Sequence, residues 1–378
     1  MPPRQTEHDR DDRDDRDDRD HINRGQDDLM RLRTLRTTGA ASCAAILAVT
    51  ALAGCNRGSE GTAAAKGKVG IDMPRTDTDF WTAYQGYVKK GVDDGTVAAL
   101  PLSNSQNDVS KLVANVQTFT DQGAKAVVMA PQDTGAISST LERLEKKDVP
   151  VISVDTRPDK GDVYMVVRAD NRAYGRKSCE YLGEKLGGKG RVAELQGDLS
   201  SINGRDRSEA FASCMKKKYP KIKVHELPTN WDGKEASGKL QSLLAQHRDL
   251  DGIYMQAGGA FLQPTLALLK QKKLLKESGT KGHITIISND GIPEELAAIR
   301  EGQIDATLSQ PADLYAKYAL TYARAALDGK KFKPGPTDHK SKIIKLKNGL
   351  EDQLPAPLVT KENVDDKGLW ANQLEKKK

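Results

Sequence analysis

Short, β-branched apolar runs alternate with helix-length amphipathic segments along most of this chain, and the pattern occurs twice. In the first set, "GKVGIDMP", "VAALPLSN", "AKAVVMAP" and "VPVISVD" read as strands. Between them, "DFWTAYQGYVKKGVDD", "DVSKLVANVQTFTDQG" and "TGAISSTLERLEKKD" read as helices, with Thr134 a candidate cap for the last. In the second set, "GRVAELQGD", "IKVHELPTN", "LDGIYMQA", "ITIISNDG" and "DATLSQP" read as strands, each followed by a helical segment. Strands that are apolar nearly throughout are buried on both faces, which calls for parallel strands joined by crossover helices. Two such sets predict an α/β fold of two doubly wound parallel-sheet lobes. Their ligand cleft lies beyond the carboxyl ends of the strands, where the lobes face each other.

Those strand ends carry a consistent chemistry. Asp155, Gln196, Trp231, Asp290 and Gln310 close successive runs, and Asp77, Phe80 and Trp81 follow the first. Carboxylates and amides hydrogen-bond hydroxyls, and flat aromatic rings cover apolar ring faces. Singly, an acid here can be a helix cap and an aromatic can be core. Their recurrence at equivalent places points to a binding site for a hydroxylated ligand.

The first part of the chain has a different character. The stretch "AAILAVTALAGC" is apolar and uncharged, follows Arg31, Arg33 and Arg36, and is too short to span a bilayer. Its end, "LAGC", resembles the lipobox of bacterial lipoproteins, in which the cysteine is lipidated; here that residue is Cys55. The expected organisation is a disordered charged extension over 1–29, read either as a start placed too early or as a cytoplasmic tail, then a lipoprotein signal peptide over 30–54 and a flexible tether over 55–66. Met30 is the natural start of such a signal.

Composition narrows the function. The net charge is +6, with 59 Lys and Arg against 53 Asp and Glu, but the lysines are scattered among acids with no basic stripe. Nucleic acid is therefore not an expected partner. Cys179 and Cys214 lie in helical segments without metal-site spacing, and in an exported protein a disulfide between them is expected, with two free buried cysteines as the alternative. Outside the extension the histidines are His225, His247, His283 and His339, none in a zinc-protease motif. A nucleophile elbow, a dinucleotide fingerprint and a Walker A loop are all missing from the sequence. No catalytic residue, metal or cofactor is expected.

The ordered motifs "DFW", "ISVDT", "ADN", "ELQGD", "GRDRSEAF", "NDGIPEE" and "IDATLSQP" together resemble the periplasmic sugar-binding proteins of ABC importers, of the ribose- and galactose-binding kind. The resemblance runs from about Lys68 to Lys347, and the tail "LVTKENVDD" looks like that of lipoprotein members. It implies a monomer that captures a sugar or polyol between two lobes and delivers it to a permease and ATPase complex. A sensor presenting its ligand to a membrane receptor would use the same lobes.

Position by position, the resemblance assigns Phe80 and Trp81 to one ring face and Trp231 to the other. It makes Asp155 and Asp290 hydroxyl-binding carboxylates, Gln310 an amide at the last crossover, and Arg205 the ligand arginine, with Arg207 structural. Thr156 stands where the ribose binder has an arginine. In "MQAGGAF", Ala257 and Gly258 replace two hydrogen-bonding side chains, leaving Gln256 as the nearest substitute. Three interlobe crossings are implied, near Ala169, Gln310 and His339. They divide the chain into an N-terminal lobe (67–169 and 311–338), a C-terminal lobe (170–310 and 339–354) and a tail (355–378).

Overall fold

The computed structural model describes residues 67–374. The expected extension, signal, tether and Cys55 lie outside the described residues.

The N-terminal half opens with β1 (Lys68–Met73), α1 (Asp79–Asp93), β2 (Ala98–Ala99), β3 (Ser103–Asn104) and α2 (Val109–Asp121). It continues with β4 (Ala126–Met129), α3 (Ser138–Glu145), β5 (Val151–Val154) and β6 (Met165–Ala169). The second half runs α4 (Asn171–Lys185), β7 (Lys189–Gln196), α5 (Ile202–Lys218), β8 (Lys221–Pro228), α6 (Gly233–Gln246), β9 (Gly252–Met255) and α7 (Gly258–Gln271). Then come β10 (Thr285–Asp290), α8 (Pro293–Arg300), β11 (Ala306–Ser309) and α9 (Ala312–Leu327). The last elements are β12 (Gly335–Pro336), β13 (Lys342–Leu346), β14 (Gly349–Leu354), β15 (Leu358–Thr360) and α10 (Trp370–Leu374).

The strands form two sheets. One has the order β12-β13-β14-β6-β5-β4-β1-β2, with β3 also on β1; the other is β15-β11-β10-β9-β7-β8. Counted within each half, the parallel strands follow the same order, 2-1-3-4-5, in both sheets. Each order reverses beside its first strand, and the loops that open there make a crevice at the carboxyl edge. Burial explains the composition: every residue of β4 and β5 is buried, as are Val69 to Met73 of β1. Polar side chains start several helices. Asp108 caps α2, accepting from Ser110 N at 2.7 Å, and Asp232 caps α6, accepting from Glu235 N at 2.6 Å.

Thr134 does not cap α3. That helix begins at Ser138, and the Thr134 hydroxyl instead faces the second half, donating to the Ser200 carbonyl at 3.3 Å. Cys179 of α4 and Cys214 of α5 are joined by a disulfide with their Cα atoms 6.1 Å apart.

The chain departs from the expected partition after residue 338. Helix α9 packs on α1 and on strands β4, β5 and β6 of the first sheet. The hairpin β13–β14 joins that sheet too, through parallel pairing of β14 with β6, from Glu351 beside Val166 to Leu354 beside Ala169. Residues 339–354 were expected in the C-terminal lobe, and their strands belong to the N-terminal sheet. The third crossing is therefore at 355–357, between β14 and β15, and not at His339. His339 sits within the N-terminal side, its Nε2 2.8 Å from the buried Asp352 carboxylate. The described part of the expected tail is built into the fold: β15 pairs antiparallel with β11, and Trp370 is buried.

Candidate functional site

The carboxyl edges of the two sheets face each other across a cavity. Its N-terminal wall is mostly aromatic. Phe80 and Trp81 lie in the first turn of α1, which directly follows the loop after β1. Their rings pack edge to face at 5.1 Å, and Phe80 also meets Trp370 at 6.3 Å. Fixed in this way, both rings line the cavity as rigid surfaces. Asp155 ends β5 with φ at 63°, and Asp290 ends β10 with φ at 112°. Such left-handed backbones are unusual for non-glycine residues and are stored where surrounding structure holds a functional side chain in place.

Trp231, at φ 59°, covers the opposite side and stacks on Phe261 at 6.5 Å with an interplanar angle of 11°. Gly197 makes room for it: a Cβ there would lie 2.0 Å from the indole ring.

The polar groups differ in how fully they are engaged. Asp155 Oδ2 accepts from Asn203 Nδ2 at 2.8 Å, while its Oδ1 is buried and has no protein partner. Burial pushes this carboxyl upward, and Arg207 and Arg168 pull it back down. Asp290 has a partner on each oxygen: Gly259 N–H at 2.9 Å on Oδ2 and Gln310 Nε2 at 3.2 Å on Oδ1. Burial raises its pKa, with Arg207 opposing the rise; that of the nearby Glu295 rises through burial and the charge of Asp290. Arg207 is buried and held on all sides. It donates to Asn171 Oδ1 at 2.6 Å, to Gln310 Oε1 at 2.9 Å and to the Gln256 carbonyl. Its guanidinium also lies 5.5 Å from the Trp231 ring centre.

Six of the sequence-predicted residues thus come together around the cavity: Phe80, Trp81, Asp155, Trp231, Asp290 and Gln310. Four do not. Asp77 is outside and exposed, its carboxylate gripping Arg75 at 2.5 and 2.8 Å; Arg75 is the residue that reaches the cavity wall. Thr156 is fully buried behind the wall, its carbonyl accepting from Ser153. Gln256 faces the interior of the second sheet, bonded to Glu194, Ser208 and Gly197.

Arg205 is turned to the lobe boundary. It reaches across to Asp159 at 2.6 Å and to Thr134 at 3.2 Å. The two arginines of "GRDR" therefore exchange the roles expected of them. Residues two apart on a helix point about 200° away from each other, so only one can face the cavity.

The missed wall residues are Arg75, Thr78, Gln132, Asn203 and Arg207, with the small residues Gly259 and Ala260 beside Ala257. Gly258 is not part of the gap. A Cβ there would fall 2.1 Å from the Glu295 carboxylate, so it packs against protein. Asn203 was findable, one helical turn before Arg207 on the same face. Thr78 and Gln132 carry no such signal.

The lobes are in contact around the cavity. Arg168 of β6 donates to Asn203 Oδ1 at 2.8 Å and to Asp206 at 3.2 Å, both on α5. Arg157 adds weaker pairs to Asp206 and Glu351, each at 3.7 Å. Three buried polar atoms of the cavity wall lack protein partners: Thr78 Oγ1, Asp155 Oδ1 and Trp231 Nε1. Among them are an acceptor, a donor and a hydroxyl that can be either.

Residues 69–331 match the family model described as periplasmic binding protein domain. The ribose import binding protein of Salmonella typhimurium is 26% identical over 269 residues, which cover 71% of this chain and 88% of that protein. The xylitol-binding protein of Mycolicibacterium smegmatis is 25% identical over 319 residues, 83% of each. Among solved structures, the Caulobacter myo-inositol binding protein bound to myo-inositol superposes with a TM-score of 0.70 at 23% identity, covering 82% of this chain and 98% of that one. This last likeness is one of fold.

Proposed function

The chain belongs to the periplasmic binding protein family, and from that premise we propose that it is the extracytoplasmic, lipid-anchored receptor of an ABC importer, capturing a neutral sugar or polyol between its lobes. It is a binding protein and not an enzyme. The observation that carries the ligand class is the set of unpartnered wall atoms, Asp155 Oδ1, Thr78 Oγ1 and Trp231 Nε1, among three aromatic rings. Buried polar atoms without partners are costly, and ligand hydroxyls would satisfy all three.

Charge argues for a neutral ligand. Both arginines at the wall are already engaged, Arg75 by Asp77 and Arg207 by its three acceptors. An anionic ligand would meet Asp155 and Asp290, two carboxyls that already share the charge of Arg207. The kinship with ribose and xylitol binders supports the same class. Delivery to a permease follows from family membership, and the anchor at Cys55 from the "LAGC" stretch.

A thermal-shift screen of the full chain against pentoses, hexoses and polyols, followed by calorimetry, tests the ligand class. Saturable stabilisation by one of them is expected, and silence across the panel overturns the reading. Labelling with a radioactive fatty acid tests the anchor, which predicts loss of label in Cys55→Ala.

A further inference from the structure

One side of the cavity has no side chain able to form a hydrogen bond. Ala257, Gly259 and Ala260, at the start of α7, are its surface. Two of the neighbouring backbone groups are committed as well. Gly259 N–H donates to Asp290 at 2.9 Å, and the Ala257 carbonyl accepts from Phe261 N at 3.0 Å. Gln256, the nearest amide, is turned inward and bonded there at both ends. The free side-chain polar atoms of the cavity are those of Asp155, Trp231 and Thr78, the last of which stands against Gly259.

Resting on the sugar or polyol reading, we infer that the ligand turns a hydroxyl-free edge, a deoxy carbon or a methyl group, toward Ala257 and Ala260, and that Ala257 sets this preference. A hydroxyl placed there would leave water and gain no partner among these side chains, whereas a methyl group would bury apolar surface against them. An apolar wall rejects an added hydroxyl only moderately, so the expected preference is roughly ten- to a hundredfold.

Calorimetric titration of the full chain with matched pairs tests this: L-rhamnose with L-mannose, L-fucose with L-galactose, and 2-deoxy-D-ribose with D-ribose. At least one deoxy sugar should bind about tenfold or more tightly than its hydroxylated partner. Ala257→Asn should shrink or reverse that ratio, and Ala257→Val, which keeps the wall apolar, should preserve its sign. Thermal melts of both variants separate a change of preference from a failure to fold. Binding only by hydroxylated partners or fully hydroxylated polyols overturns the inference and leaves the sugar reading standing, as does an unchanged ratio in a folded Ala257→Asn. Binding by none of the six sugars nor by any of the wider panel overturns both.

Discussion

On the N-terminal side of the cavity, Phe80, Trp81 and Asp155 present two packed rings and a carboxylate with one oxygen free. On the C-terminal side, Arg207, Asp290 and Gln310 hydrogen-bond one another or the surrounding backbone. The first wall is an apolar floor with an open acceptor. The second is a polar network largely satisfied before any ligand arrives. A satisfied network holds its members in one geometry, so a ligand loses little in ordering them. An open acceptor gives the larger gain per contact, because its desolvation has already been met in folding. The N-terminal wall should therefore supply most of the contact energy, and the C-terminal wall most of the positioning.

Breaking the network at its centre should have the largest effect. Arg207→Met removes the donor shared by Asn171, Gln256 and Gln310; it leaves Asn171 Oδ1 unpaired, the Gln256 carbonyl with only Asn289 Nδ2 at 3.2 Å and Gln310 Oε1 with only the Tyr315 hydroxyl at 3.4 Å. Ligand affinity should fall by at least roughly a hundredfold, and the melting temperature should fall with it. Arg205→Met is the matched comparison. Its ion pair to Asp159 is partly exposed and holds only the lobe boundary, so affinity should fall by less than about tenfold. Equal losses in the two variants, measured by calorimetry and thermal melts, would return Arg205 to the site.

That pair of arginines shows where the sequence is legible and where it is not. The alternation of apolar runs and amphipathic segments reports burial, and burial is local, so both sheets are readable. So are the strand ends, which is why Asp155, Asp290 and Gln310 are found in the cavity. The rotation of α5 depends on how it packs against α4, where Gly175 would clash with the Arg207 carbonyl if it carried a Cβ. No spacing within "GRDR" records that contact. The hairpin β13–β14 fails to be placed for a related reason. Its own pairing is local, but its choice of sheet is made by β6, far away in sequence. Gln256 and Ala257 are adjacent residues at the end of β9, and only the pleat decides which of them faces the ligand.

The open acceptor of the other wall comes next. Asp155→Asn keeps the shape but weakens the acceptor, and binding should drop by about 1.5–3 kcal/mol, the scale of hydrogen bonds to charged groups. Stability should hold, because Asp155 Oδ1 has no protein partner to lose and the amide oxygen can still accept from Asn203. Asp290→Asn should do the reverse. Its carboxylate accepts from Gly259 at the start of α7, whose cap residue, Ala257, has no side-chain acceptor of its own. A loss of melting temperature larger than the loss of affinity is expected. If Asp290→Asn costs more affinity than Asp155→Asn, the division of labour between the walls is wrong. A smaller effect is expected from Trp231→Phe, which keeps a ring but removes the unpartnered Nε1–H; affinity should fall by about 0.5–1.5 kcal/mol.

The smallest effect separates the scaffold of the C-terminal wall from its ligand. Glu194 is fully buried beneath that wall, with Gln256 donating to it at 2.8 Å and Gln196 at 3.3 Å. Burial pushes its carboxyl from the ordinary 4.5 up to about 8, against the pull of those two amides. The folded chain therefore keeps this proton well above the pH at which the unfolded chain gives it up. Its contribution to stability is complete below about pH 4.5 and is lost as pH rises toward 8. Glu194→Gln fixes the neutral state, so the fall in melting temperature between pH 5 and pH 8 should be shallower than in the parent. Affinity at pH 5 should be nearly unchanged, since Glu194 does not line the cavity. A parallel pH profile in the variant would mean that Glu194 is already charged in the folded protein, and that the polar interior behind the C-terminal wall holds an anion its two amides are enough to stabilise.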